Sequence, residues 1–158
     1  MEIVILMGLQ AAGKSTFYQT HFARTHDLVS KDLLRNNSRP ARRQSQLIEA
    51  SLQAGRSVVV DNTNPSREDR EQLIHLGHQY GAEIIGYYFE PQVKQSLERN
   101  RQRTGKERVP DVAIFATLKK LARPMYAEGF DKLYTVHTGQ EALFEITDWK
   151  GDDAVDRA

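Results

Sequence analysis

The stretch Ile3-Val4-Ile5-Leu6-Met7-Gly8-Leu9-Gln10-Ala11-Ala12-Gly13-Lys14-Ser15-Thr16 decides the fold. Its apolar run stops at a glycine and reads as a buried central strand, because a strand covered on both faces shows no polar alternation. From Gly8 to Ser15 the chain fits G-x-x-x-x-G-K-[ST] at every fixed position. Glycine suits places where the backbone turns tightly and approaches phosphate oxygens closely. Loop amides and the N-terminus of the following helix then point at the anion. Lys14 is expected to bridge the β- and γ-phosphates of a nucleotide, and the Ser15 hydroxyl to hold Mg²⁺. Gly8, Ala11, Ala12, Gly13, Lys14, Ser15 and Thr16 are therefore the candidate nucleotide-binding residues. An ordinary glycine turn with an exposed lysine would match the same letters. The strand before the loop and the helix after it argue for a phosphate loop.

Outward from this loop, strand-like and helix-like segments alternate, which predicts an α/β domain with a largely parallel sheet. The expected helices run over 14–25, 40–54, 64–80, from 92, and over 110–123. The expected strands run over 28–30, 57–61, 82–89 and 133–137. Gly55 supplies a stop for the second helix, and Asn64-Pro65 is expected to cap and open the third. One domain over residues 1–150 and a frayed tail over 151–158 are expected, the tail carrying little apolar content.

With 39% hydrophobic and 27% charged residues, disordered, collagenous and coiled-coil readings fail. No apolar run nears the roughly 18 residues of a spanning helix, so no membrane partner is expected. The apolar run at the N-terminus is too short, and lacks the basic flank, for a signal peptide. The chain has no cysteine, which removes disulfides, cysteine-ligated zinc and thiol catalysis, and fits a cytoplasmic protein. Its formal net charge of +1 advertises no global attraction to nucleic acid, so any basic site must be local.

Three further elements carry candidate chemistry. Asp61 closes the strand Ser57-Val58-Val59-Val60, where a carboxylate lies on the ligand side of an open parallel sheet. There it would order Mg²⁺ or its water; otherwise it starts the turn Asp61-Asn62-Thr63-Asn64. Asp32 and Arg35 are three residues apart, so one helical face can present both a base for an attacking hydroxyl and a cation for its carrier. A helix cap with a solvated arginine fits that spacing equally. Arg99, Arg101, Arg103, Lys106 and Arg108 crowd a glycine-bearing segment that reads as a mobile basic loop or as a solvated face.

Taken in order, Gly8–Thr16, Ser30-Lys31-Asp32-Leu33-Leu34-Arg35, Asp61-Asn62-Thr63-Asn64-Pro65, a lid ending Val109-Pro110, and Ala127-Glu128-Gly129-Phe130 resemble the 5′-kinase domain of polynucleotide kinases and their P-loop relatives. The resemblance covers residues 1–137. It implies a P-loop kinase-like three-layer sandwich with a small basic lid. It further implies that Asp32 is the general base for the 5′-hydroxyl, that Arg35 contacts an acceptor phosphate, that Asp61 is the acidic residue after the third strand, and that Asp61, Asn62 and Thr63 bind substrate. Arg103, or else Arg101, would be the lid arginine that meets the transferring phosphoryl group. Gln10-Ala11-Ala12 departs from the Pro-Gly-Ser often seen in that loop, and Lys31 stands where arginine is common. The phosphatase domain fused in some members is absent from the sequence, so a 5′-kinase without 3′-end repair is expected.

The expected function is an ATP- and Mg²⁺-dependent kinase acting on the 5′-hydroxyl of a DNA or RNA end. A small-molecule hydroxyl acceptor and a non-catalytic ATP-binding regulator are the alternatives. Lys14, Ser15, Asp32 and Arg35 together argue against the regulator. Arg35, Arg39, Arg42 and Arg43 favour a phosphate-tracking groove, although a solvated loop would tolerate them.

Overall fold

The structure, a computed structural model, describes residues 1–140 and 143–150. Valine- and isoleucine-rich runs form the centre of one six-stranded sheet. Its strands are β1 (Glu2–Met7), β2 (Asp27–Val29), β3 (Val58–Asp61), β4 (Glu83–Phe89), β5 (Lys132–Thr138) and β6 (Phe144–Asp148), in the order β2-β3-β1-β4-β5-β6. Every neighbouring pair is parallel except β5 with β6. Strand β6, an antiparallel edge, was not foreseen from the sequence.

The period of two divides the core between the sheet's faces. Ile3, Ile5 and Met7 of β1 join Val58 and Val60 of β3 on one face, where they meet Ile48 and Leu52 of α2 (Pro40–Gln53) and Leu73, Ile74 and Leu76 of α3 (Arg67–Gln79). Val4, Leu6 and Val59 point the other way, to Phe17 and Tyr18 of α1 (Lys14–His21). Helices therefore cover both faces, and β1 is apolar from Ile3 to Met7 because neither face of that stretch meets water. The remaining helices are α4 (Val93–Gln102) and α5 (Asp111–Lys120).

Four boundaries differ from expectation. Helix α1 stops at His21, because Phe22 leaves the helix to pack edge-on against Phe17, Tyr87 and His26. Asn64 does not cap α3. Its backbone is left-handed at φ 42°, and its side chain donates to the Leu6 carbonyl across 2.7 Å, so Ser66 takes the cap in a capping box with Asp69. Helix α5 ends at Lys120 rather than Arg123, and Ala122 donates instead to the Pro65 carbonyl. Helix α4 runs to Gln102, so Arg99 and Arg101 lie on a helix and the basic loop begins only at Arg103. The expected tail, 151–158, lies outside the described residues.

Behind the carboxyl ends of the strands, Arg70 is fully buried. It pairs with the buried Glu128 at 2.9 Å and donates to the Ala122 carbonyl at 3.0 Å. Removing one partner of such a pair typically costs about 3–5 kcal/mol, because the other charge stays buried alone. The pair therefore ties α3 to the segments after α5.

Candidate active site

At the carboxyl ends of β1 and β3, where ligands settle on open parallel sheets, a cleft of about 780 Å³ opens. The loop from β1 to α1 forms its floor. A Cβ on Gly8 would stand 2.8 Å from the Phe89 Cβ, so only glycine lets the loop leave β1 this close to β4. Gly13, at φ 96°, is left-handed and N-caps α1, and a Cβ there would press within 3.2 Å of the Phe144 ring. Gly8 lies at the loop's root, while Ala11, Ala12, Gly13, Lys14, Ser15 and Thr16 line the cleft.

Lys14 is buried, and its Nζ donates to the carbonyl oxygens of Gly8 at 2.9 Å and Leu9 at 2.6 Å. Burial depresses its pKa to about 8. The Arg103 charge pushes the same way, and the Asp61 and Asp32 carboxylates partly offset both. An ammonium held on two loop carbonyls is poised to exchange them for phosphate oxygens, whose negative charge would favour its protonated form.

Ser15 Oγ donates to Asp61 Oδ2 across 2.7 Å, and Asp61 is buried at the end of β3. These two hard oxygens beside the phosphate loop fit a magnesium ion, which prefers one or two protein oxygens supplemented by phosphate and water. Asn62 and Thr63 brace the site. The Asn62 side chain accepts from the Lys31 amide at 2.9 Å and donates to Gln44 at 2.6 Å, while the Thr63 carbonyl accepts from the Gly8 amide at 3.0 Å.

Asp32 sits on the 3-10 turn Lys31–Leu34, where the Ser30 hydroxyl accepts from its amide. Ser30 is thus the cap, which leaves the Asp32 carboxylate free of capping duty. Its side chain is 81% exposed and stands 3.7 Å from the Arg35 guanidinium, and both residues line the cleft. Arg39, Arg42 and Arg43 are exposed at the start of α2, outside that lining.

Helix phase separates the basic cluster. Arg99 donates to the Gly139 carbonyl at 3.3 Å, and Arg101 lies 3.9 Å from Asp111, so neither faces the cleft. Arg103, half-buried at the C-cap of α4, does line it. The loop carrying Arg103 is anchored: buried Asn100 donates to the Val109 carbonyl at 2.6 Å and accepts from the Val109 amide at 3.0 Å. That clamp, together with Gln10, Thr117 and Lys120 in the wall, was missed in the sequence; the only available signal was an asparagine among arginines.

An AAA domain family model matches residues 3–126. The chain is 27% identical over 142 residues to a bifunctional polynucleotide phosphatase/kinase of Schizosaccharomyces pombe, covering 85% of this chain and 33% of that protein. It thus spans about one third of that relative's length. Among solved structures, the Pnkp1/Rnl/Hen1 complex matches with a TM-score of 0.55 at 27% identity, over 62% of this chain and 38% of that one. A gluconokinase from Sinorhizobium meliloti matches with a TM-score of 0.64 at 19% identity, over 89% and 85%; that likeness speaks to fold alone. The chain belongs to the AAA domain family in its P-loop kinase form, a kinase-type, nucleotide-binding α/β domain. Among the described residues no helix is long and apolar enough to cross a membrane.

Proposed function

We propose that the protein is an ATP- and Mg²⁺-dependent kinase that transfers the γ-phosphate to the 5′-hydroxyl end of DNA or RNA. The observation that carries this reading is that Asp32, exposed and uncapped, and Arg35, beside it, line the same cleft as the phosphate loop. A carboxylate paired with a cation at the acceptor end suits a hydroxyl whose carrier bears a phosphate. The relationship to polynucleotide phosphatase/kinase over 85% of the chain supports the same acceptor.

In this reading the loop amides and Lys14 hold the β- and γ-phosphates, with Lys14 exchanging the Gly8 and Leu9 carbonyls for phosphate oxygens. Asp32 accepts the proton of the 5′-hydroxyl as its oxygen bonds to the γ-phosphorus, and the bond to the bridging oxygen breaks to release ADP. Arg103 meets the negative charge of the group in flight, and Arg35 holds the acceptor's phosphate. Ser15 and Asp61 would hold the magnesium ion, which supplies charge neutralisation to the phosphates.

Transfer of label from γ-labelled ATP to a panel of 5′-hydroxyl oligonucleotides and small alcohols, gluconate among them, tests the reading. Labelled oligonucleotide 5′ ends are the expected result. Labelling of a small alcohol with unlabelled oligonucleotides would overturn the acceptor but keep the kinase, and ATP binding with no transfer would overturn both.

A further inference from the structure

The phosphate loop of this chain is bonded to the helix that follows the loop carrying Arg103. Gln10, at the second variable position of the loop, donates from Nε2 to Thr117 Oγ1 of α5 across 2.9 Å. Thr117 spends its own proton on the Ala113 carbonyl at 3.0 Å, so its oxygen can only accept from Gln10, and the orientation of the Gln10 amide follows. That orientation leaves Gln10 Oε1 buried with no hydrogen-bond partner among the described residues. A buried orphan acceptor needs a reason, and a glutamine anchored from both ends would be the more stable arrangement.

The reason suggested by the geometry lies at the other end of α5. This helix follows directly on the loop that carries Arg103, and Asn100 clamps that loop at its root through both polar groups of Val109. A side-chain link to Thr117 is therefore a link to the base of the lid. On the other side, Gln10 shares a peptide unit with the Leu9 carbonyl that Lys14 grips at 2.6 Å. When Lys14 leaves that carbonyl for a phosphate oxygen, the Leu9–Gln10 peptide is released at the moment the donor arrives. We propose that Gln10 is a positioning residue: through Thr117 it couples phosphate occupancy of the loop to the placement of Arg103 over the cleft.

The proposal rests on the kinase reading for its rates but not for its central measurement, which is amide hydrogen exchange over 103–109 with and without a non-hydrolysable ATP analogue and Mg²⁺. The analogue should slow exchange there in the wild-type chain. Gln10→Ala and Thr117→Val should bind the analogue and lose that protection, while Thr117→Ser, which keeps the hydroxyl, should retain it. In transfer assays, Gln10→Ala should lower kcat about tenfold with KM for ATP nearly unchanged, and should add little once Arg103→Ala is present. A merely structural glutamine would lower stability and multiply its loss with that of Arg103→Ala. Undiminished protection in both Gln10→Ala and Thr117→Val, or multiplicative losses, would overturn the proposal. Absence of any phosphoryl transfer would sink the kinase reading while leaving the exchange result to stand or fall by itself.

Discussion

The two walls of the cleft are built to opposite standards. On the donor side Lys14 is buried and bonded twice, Ser15 and Asp61 are locked at 2.7 Å, and Gly8 is tied to Thr63. On the acceptor side Asp32 is 81% exposed, and its separation of 3.7 Å from Arg35 is long for a hydrogen bond. The donor ligand is one chemical group, a polyphosphate, and a rigid set of fixed dipoles stabilises it without reorganising. In the proposed reading the acceptor arrives on a larger carrier and must find Asp32 accessible. By this division, substitutions on the donor wall should remove turnover outright, and those on the acceptor wall should slow a reaction whose ATP binding is intact.

Lys14→Ala is the severest break. It removes the charge at the γ-phosphate and leaves the Gly8 and Leu9 carbonyls without their donor, so kcat should fall by about a thousandfold or more. Circular dichroism should still report a folded chain, because both core faces are untouched. A folded variant with near wild-type transfer would leave the donor wall without its function.

Asp32→Asn keeps shape and hydrogen bonding but cannot take a proton. Transfer should slow about a hundredfold, the usual scale of a lost general base, with the ATP dissociation constant unchanged in calorimetry. Equal rates in variant and wild type would reduce Asp32 to a solvated turn residue. Arg103→Ala should cost less, about ten- to thirtyfold in kcat with little change in KM, if its guanidinium meets charge only as the phosphoryl group moves. Arg101→Ala is the built-in control, since Arg101 pairs with Asp111 away from the cleft and should leave kcat alone.

How far each wall was legible in the sequence follows the same division. The phosphate loop of the donor wall is local: one strand, a short run of loop residues and one helix, with glycines where backbone and phosphate need them, and only Asp61 and Thr63 reach it from the end of β3. Reading it requires no tertiary knowledge. The choice between Arg101 and Arg103 could not be read, because it depends on α4 continuing to Gln102 and turning Arg101 away. Asn64 and Ser66 are both good caps, and what decided between them was a bond from Asn64 to Leu6, 58 residues away in sequence. Arg70 and Glu128 are equally distant from each other, and each reads alone as a solvated charge. Strand β6 has only Phe144 and Ile146 as large apolar residues among polar ones and sits on the sheet's edge, where its alternation is a weak signal.

The finest test of the contrast is pH, because burial has been spent on the donor lysine and not on the acceptor carboxylate. Lys14 loses its proton near pH 8 in the free protein, whereas an ordinary lysine does so near 10.5. The sign then follows from proton counting: between those values the unfolded chain binds more protons than the folded one, so the ligand-free protein should gain stability as pH climbs through this window. ATP affinity should move the opposite way, since phosphate favours the charged lysine and binding above pH 8 must recapture a proton. From pH 7 to pH 9 the affinity for a non-hydrolysable ATP analogue should fall about tenfold, with proton uptake visible as a buffer-dependent heat in calorimetry. Lys14→Met should flatten that profile. Arg103→Ala should move its midpoint upward, because the Arg103 charge is one of the causes that depress the lysine. Melting temperature and affinity rising together with pH, or neither changing in the wild-type chain, would mean that Lys14 is not buried on the carbonyls of Gly8 and Leu9, and the asymmetry between the two walls would go with it.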